Sequence, residues 1–336
     1  MGIRRGVSLP FSGWETKALP TLMGRGLEVV HELEADGIEL CFTAVVKCPS
    51  VPVLDAWRQW LAQLQLKAVT LVMADISLDT DHKAAARLLT HHLHLASAMG
   101  FENVCTCCAM PIDSIERALP TAEALGVRIG KAIRAPFNLR SDIPMYGRQP
   151  NPYLVEELVE LADRRHTRFV GLVPDMDIFR MTLDGQTLKA LECSGVRPKV
   201  AALILEAIDK GIRNPRLVRA HISKWVPDAS GDELAAAEYA SLFSAADPWE
   251  LTGLVPYILS IRGRFYEMTE IPGRPGQYED KAVNYRDPIH FLKKGGYDGY
   301  ICSACDAYGT PGGCPEEVLS QVGRHQEMLK RLIETV

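Results

Sequence analysis

The chain has 336 residues, 47% of them hydrophobic, and a formal net charge of −5 with a pI near 6.0. That length and apolar content can bury a large core and suit one elaborated domain, residues 1–336, better than two. The acidic balance supplies no basic field for nucleic acid or anionic lipid, so neither a nucleic-acid nor a membrane partner is expected.

The first segment, MGIRRGVSLPF, turns polar at SGWETK before a secretory core forms, and Gly6 does not suit an acylation signal. No apolar run approaches the roughly 20 residues that cross a bilayer. A cytoplasmic protein is expected. Nine cysteines, an odd number, then argue for reduced thiols rather than a disulfide framework.

Taken in order, eight apolar, β-rich runs read as strands: 6–11, 37–42, 68–73, 103–109, 127–133, 169–175, 255–261 and 298–304. Amphipathic stretches separate them. LEVVHELEAD precedes the second, and HKAAARLLTHHLHLASAMG precedes the fourth and stops at Gly100, a residue suited to ending a helix. Asn151 and Pro152 provide a cap and a first-turn proline for PYLVEELVELADRR. Strand–helix alternation of this kind predicts an α/β protein, a (β/α)8 TIM barrel, with a doubly wound open sheet as the rival.

Between Arg180 and Pro248 lie three helical stretches, KVAALILEAIDKGI, LVRAHISKW and DELAAAEYASLFSAA, where a barrel unit needs one. A helical insertion over 181–250, between strands 6 and 7, is expected at the barrel mouth as a lid, an oligomer interface or plain extra packing. The Gly- and Pro-rich segment TEIPGRPGQYEDKAVNYRD is a second loop expected there.

Chemistry in a barrel sits at the C-terminal ends of the strands. Those ends hold Glu39, Asp75, the cysteines of 105–108, Lys131, Arg134, Asp175, Asp177, Arg262, Arg264, Glu267 and Asp306. Asp175 closes an uninterrupted apolar strand, and a buried carboxylate there needs a metal, an arginine or a substrate hydroxyl. Cys302 and Cys305 form a C-x-x-C, but residues three apart on a strand face opposite ways, which favours packing over a shared metal. His91 and His94 share a helix face that reads as solvent-facing. In the insertion, His221 and Lys224 are placed to reach over the mouth.

Together GLVPDMDIF, SIRGRFYEM and YDGYICSACDAYG, with GVSLPF and DGIEL earlier, make the chain resemble the sugar phosphate isomerase/epimerase family of xylose-isomerase-like TIM barrels. The C-glycoside deglycosidase α-subunit branch is the most similar. The resemblance implies a four-ligand site for a divalent metal, commonly manganese. Position by position, the fifth-strand Glu-Ile-His corresponds to Ala132, Ile133 and Arg134. The sixth-strand aspartate corresponds to Asp175, the seventh-strand histidine to Arg262 and the eighth-strand glutamate to Ala304. One ligand of four remains, so no metal or other cofactor is expected.

The resemblance therefore implies metal-independent proton transfer on a sugar-derived or anionic carbonyl substrate, by an isomerase, epimerase or carbon–oxygen or carbon–carbon lyase. Asp175, His221, Glu267 and Asp306 are the acid/base candidates. Arg134, Arg262, Arg264, Lys131 and Lys224 are the substrate-binding candidates. The alternative is a non-catalytic binding or scaffold subunit that pairs with an active homologue. Either way a homo-oligomer, or a hetero-oligomer with a related subunit, is expected. The related DNA-repair endonuclease branch needs a multi-metal cluster and a basic groove, and the sequence has neither.

Overall fold

Strand and helix propensities alternate along the chain, and the elements follow them. The computed structural model describes residues 2–11, 19–42, 49–73, 81–106, 110–134, 155–183, 191, 193, 195–212, 214–242, 246–305 and 315–336. In order come β1 (Arg4–Phe11), α1 (Leu19–Glu32), β2 (Gly37–Phe42), α2 (Val51–Gln63), β3 (Lys67–Val72), α3 (His82–Met99), β4 (Asn103–Thr106), α4 (Ile112–Leu125), β5 (Arg128–Ile133), α5 (Val155–Arg165) and β6 (Val170–Pro174). Then follow α6 (Pro198–Asp209), α7 (Pro215–Trp225), α8 (Gly231–Leu242), β7 (Ile261–Phe265), the hairpin β8 (Met268–Glu270) and β9 (Tyr278–Asp280), α9 (Arg286–Lys294), β10 (Tyr300–Cys305) and α10 (Pro315–Thr335).

Local chemistry sets the ends. The Asp81 carboxylate accepts from the backbone N–H groups of Lys83 and Ala84 and starts α3, and Gly100 stops it at φ 82°. Asn151 and Pro152, expected to start α5, lie outside the described residues. Among the described residues no helix is long and apolar enough to cross a membrane.

Eight parallel strands run in the order β6-β5-β4-β3-β2-β1-β10-β7. The sheet curls until its edges meet through two single bridges, Leu172 to Ile258 and Asp175 to Arg262. The backbone N–H of Leu259 also donates to the carbonyl of Leu172 at 3.0 Å. This is a nearly closed TIM barrel with helices between its strands. The expected strand 255–261 is corrected: Pro256 sits in a 3-10 turn over Val255–Tyr257, and the seventh strand is Ile261–Phe265. The segment expected as a loop after it folds instead into the β8–β9 hairpin, with Gly273 and Gly276 at positive φ in its turn.

Between β6 and β7, helices α6 to α8 pack on one another through a hydrophobic cluster that includes Val200, Ile204, Val218, Ile222 and Ala237. On the other side of the seam, α10 is pinned to the barrel wall. The Nε2 amide of Gln326 donates to Ser303 Oγ and to the carbonyl of Gly6, both at 2.7 Å, and Ser303 Oγ lies 2.7 Å from His325 Nδ1. The His325 ring stacks on Phe265 and meets Tyr285 edge-on.

Two predictions follow from the packing. A side chain at Gly171 would place its Cβ 2.4 Å from the carbonyl of Tyr257 and 2.8 Å from Leu259, so the seam closes only over a glycine. Gly171→Ala should cost about 1–3 kcal/mol or more, read by urea unfolding, whereas Gly2→Ala, in open space, should be neutral. Burial also depresses the His325 pKa to about 3. Its unfolded value lies near 6.5, so the unfolded state takes up the proton first and stability is lost as pH falls through that window. The loss between pH 7 and pH 5 should be about 2 kcal/mol, and His325→Leu should remove that part of the slope.

Candidate functional site

Alternation along each strand decides what reaches the barrel interior. On β7, Arg262 and Arg264 face inward and Phe265 faces the helices. On β2, Glu39 faces inward, wholly buried. It accepts from Ser8 Oγ at 2.8 Å and from Arg262 Nε at 3.1 Å, both on Oε1, while Oε2 is buried with no partner among the described residues.

Asp175 follows the last residue of β6 and is 1% exposed. Its Oδ2 accepts from Arg264 Nε at 2.9 Å and lies 3.7 Å from Arg134 Nε, and its Oδ1 accepts from the backbone N–H of Asp177. Two residues on, Asp177 is buried too. Arg180 donates to it from Nε and Nη2, at 2.9 and 2.6 Å, and the Tyr266 hydroxyl donates to the same oxygen. The Arg180 guanidinium lies over the Tyr266 ring, 4.3 Å from its centre.

The neighbouring charges tune each carboxyl differently. Burial raises Glu39, and Arg262 and Ser8 only partly oppose it. Burial also pushes Asp175 up, but Arg264, Arg134 and Arg262 outweigh it and hold the carboxyl below its ordinary range. Asp177 is raised to about 6 because burial and the nearby Asp175 charge prevail over Arg180.

The structure thus gathers Asp175, Arg134, Arg262 and Arg264 from the sequence candidates at one mouth. Among the described residues, it does not gather the other candidates. Lys131 is a correction: Gly130 and Ala132 face the interior, against Val173, so Lys131 points to the helix side of the wall, where it is buried. Glu267 is exposed just beyond β7. On α7, Lys224 is exposed beside the Trp225 ring and His221 is half-buried, with Nε2 unpartnered among the described residues. Asp306, Asp75, Cys107 and Cys108 lie outside the described residues.

Cys302 packs inside with Val69 and Tyr300, whereas Cys305 belongs to the outer core, so the C-x-x-C thiols face opposite ways. Glu39, Asp177, Arg180 and Tyr266 received no role from the sequence. The available signal was parity for Glu39 and the i+2 carboxylate after Asp175 for Asp177.

A divalent cation does not fit this donor set. The four positions that the resemblance assigns to ligands carry Ala132, Asp175, Arg262 and Ala304, with Arg134 next to Asp175. Fixed guanidinium charge opposes a cation and already occupies both carboxylates. Among the described residues, no group of three His, Cys, Asp or Glu side chains could hold a metal.

Fold and mouth together define a TIM barrel whose inward-facing strand residues are joined in buried ion pairs. Comparisons with known proteins agree on the fold. The chain is 23% identical, over 239 residues, to the 3'-dehydrocarminate deglycosidase alpha subunit of Microbacterium sp.. The match takes in 66% of this chain and spans 62% of that relative's length. Among solved structures, L-ribulose 3-epimerase superposes with a TM-score of 0.56 at 12% identity, covering 99% of this chain and 95% of that one. D-allulose 3-epimerase from Methylomonas sp. gives 0.52 at 10% identity, covering 98% and 97%. A sugar phosphate isomerase/epimerase from Parabacteroides distasonis gives 0.51 at 9%, covering 98% and 95%. No family model matches the sequence.

The two ion pairs of Asp175 should differ sharply in worth. Arg264→Met strands a buried carboxylate and should cost about 3–5 kcal/mol. Arg134, 37% exposed and 3.7 Å away, should cost under about 1 kcal/mol when changed to Gln. Urea unfolding at neutral pH measures both.

Proposed function

We propose that the chain catalyses metal-independent proton transfer on a sugar-derived carbonyl compound, by isomerisation, epimerisation or β-elimination of the C-deglycosylation type. The observation that carries this reading is the interleaving of carboxylates and guanidiniums along the inner faces of β2 and β7 and just past the ends of β5 and β6. Abstracting a proton beside a carbonyl needs a base for the carbon and positive charge for the enolate oxygen that develops. Arg264, aimed by Asp175, supplies the charge. Asp177 carries the proton: its carboxyl, raised to about 6, exchanges near neutrality, and Tyr266 and Arg180 hold it in place. Asp175, kept ionised, orients Arg264 and Arg134 and is too weak a base for the task.

The similar proteins lend support through their names. The 3-epimerases act on ketoses, and 3'-dehydro marks a keto sugar, so both names share a proton on carbon next to a carbonyl. A second reading, a non-catalytic subunit that pairs with an active homologue, is favoured by the relative's name, an alpha subunit, and by the engagement of Asp175 in ion pairs.

The test is solvent deuterium exchange into 3-keto glycosides and ketoses, followed by mass spectrometry on chelator-treated protein of measured metal content. The wild type should label its substrate, and Asp177→Asn and Tyr266→Phe should each slow labelling, the former by about 100-fold or more. Activity that vanishes on chelation and returns with manganese would sink metal independence. Exchange that appears only after a co-purified homologue is added back would establish the subunit reading.

A further inference from the structure

Two of the guanidiniums at the mouth leave most of their donors unspent. Each arginine carries five N–H groups in a planar fork. Among the described residues Arg134 contacts only Asp175, at 3.7 Å, beyond a hydrogen bond, and its side chain is 37% exposed. Arg262 spends Nε on Glu39, has no hydrogen-bond partner for Nη1 or Nη2 among the described residues, and is 14% exposed. Arg264, by contrast, is buried with its Nε on Asp175. Both open forks lie near enough to Asp175 to act on its charge, and Arg262 is bridged to Asp175 through the backbone.

Among the described residues, Glu39 engages only the Nε of Arg262 and Asp175 lies beyond hydrogen-bond distance of Arg134, so neither carboxylate uses up the terminal N–H groups of the two forks. A planar anion, bonded in a bidentate way, satisfies such forks.

We propose that Arg134 and Arg262 form an anion subsite that receives a carboxylate carried by the substrate, so that the preferred ligand is a sugar acid or an acidic glycoside rather than a neutral sugar. This rests on the reading of the mouth as a substrate site, and it stands independently of whether the chemistry there is proton transfer. Glu39 anchors Arg262 from below, and Arg134 closes over the ligand from the solvent side.

Calorimetric titration of the full chain with D-glucuronate, D-glucose and D-glucose 6-phosphate tests it. D-Glucuronate should bind at least about tenfold more tightly than D-glucose, and added salt should narrow the gap. Arg134→Gln, which removes the fork, should weaken D-glucuronate by about tenfold or more and leave D-glucose unchanged. Arg134→Lys, which keeps the charge but not the fork, should recover only part of the loss. Equal binding of D-glucuronate and D-glucose, or D-glucuronate binding indifferent to Arg134→Gln, would overturn the subsite. Tighter binding of the sugar phosphate than of D-glucuronate would overturn the carboxylate assignment. Carboxylate binding without deuterium exchange would leave the subsite standing and count against proton transfer, and exchange into neutral ketoses with no anion preference would do the reverse.

Discussion

The buried pair of Asp175 and Arg264 is the contact on which the rest of the mouth depends. Seven of the eight neighbour relations in the barrel are extended parallel ladders, but β6 and β7 meet through two single bridges and one further backbone hydrogen bond. The ion pair spans that seam from the end of β6 to the end of β7. Desolvating two charges is expensive, and a pair of this kind is not by itself a source of net stability. What it does supply is direction. Once Asp175 is buried, every neighbouring guanidinium must orient on it, and Arg262, bridged to the same residue, is left to reach across to Glu39. Closure of the barrel and assembly of the site are thus one event.

How much of this could be read from the chain depends on which physical signal each residue carries. The barrel was legible because seven of its eight strands fall on apolar runs separated by amphipathic stretches, and the Gly100 helix stop was legible because few other residues tolerate that backbone. The seventh strand was misplaced because IRGRF reads as polar. Its arginines face a buried interior, and the carboxylates that make this possible stand on β2 and after β6, far away in sequence.

Parity explains the remaining misreading. Alternation correctly separates Cys302 from Cys305, and the same rule separates Lys131 from Arg134, which are also three apart. Both charges lie near one strand end, and only the inward one reaches the mouth. Glu39, Cys41 and Gly37 share a parity on β2, yet only the structure shows that the glutamate meets an arginine from the opposite end of the chain. The helices α6 and α7 were legible for the same reason the barrel was, since each has its own apolar stripe. Their shared cluster with α8 shows that much of those stripes is spent within the three helices.

Replacing a point charge by planar forks also changes what the mouth asks of a ligand. A divalent ion gathers oxygens from any direction within a short radius, whereas a guanidinium rewards two coplanar oxygens and spreads its charge over three nitrogens. In the proposed reading, this trades strong polarisation at one oxygen for orientation of a whole group. Guanidinium charge does not generate a hydroxide nucleophile in the way a metal does. It suits steps in which the substrate supplies its own activated carbon, such as enolisation beside an existing ketone. An anionic substituent held by Arg134 and Arg262 would then fix the ring so that this carbon meets Asp177, and the binding charge would serve positioning as well as affinity.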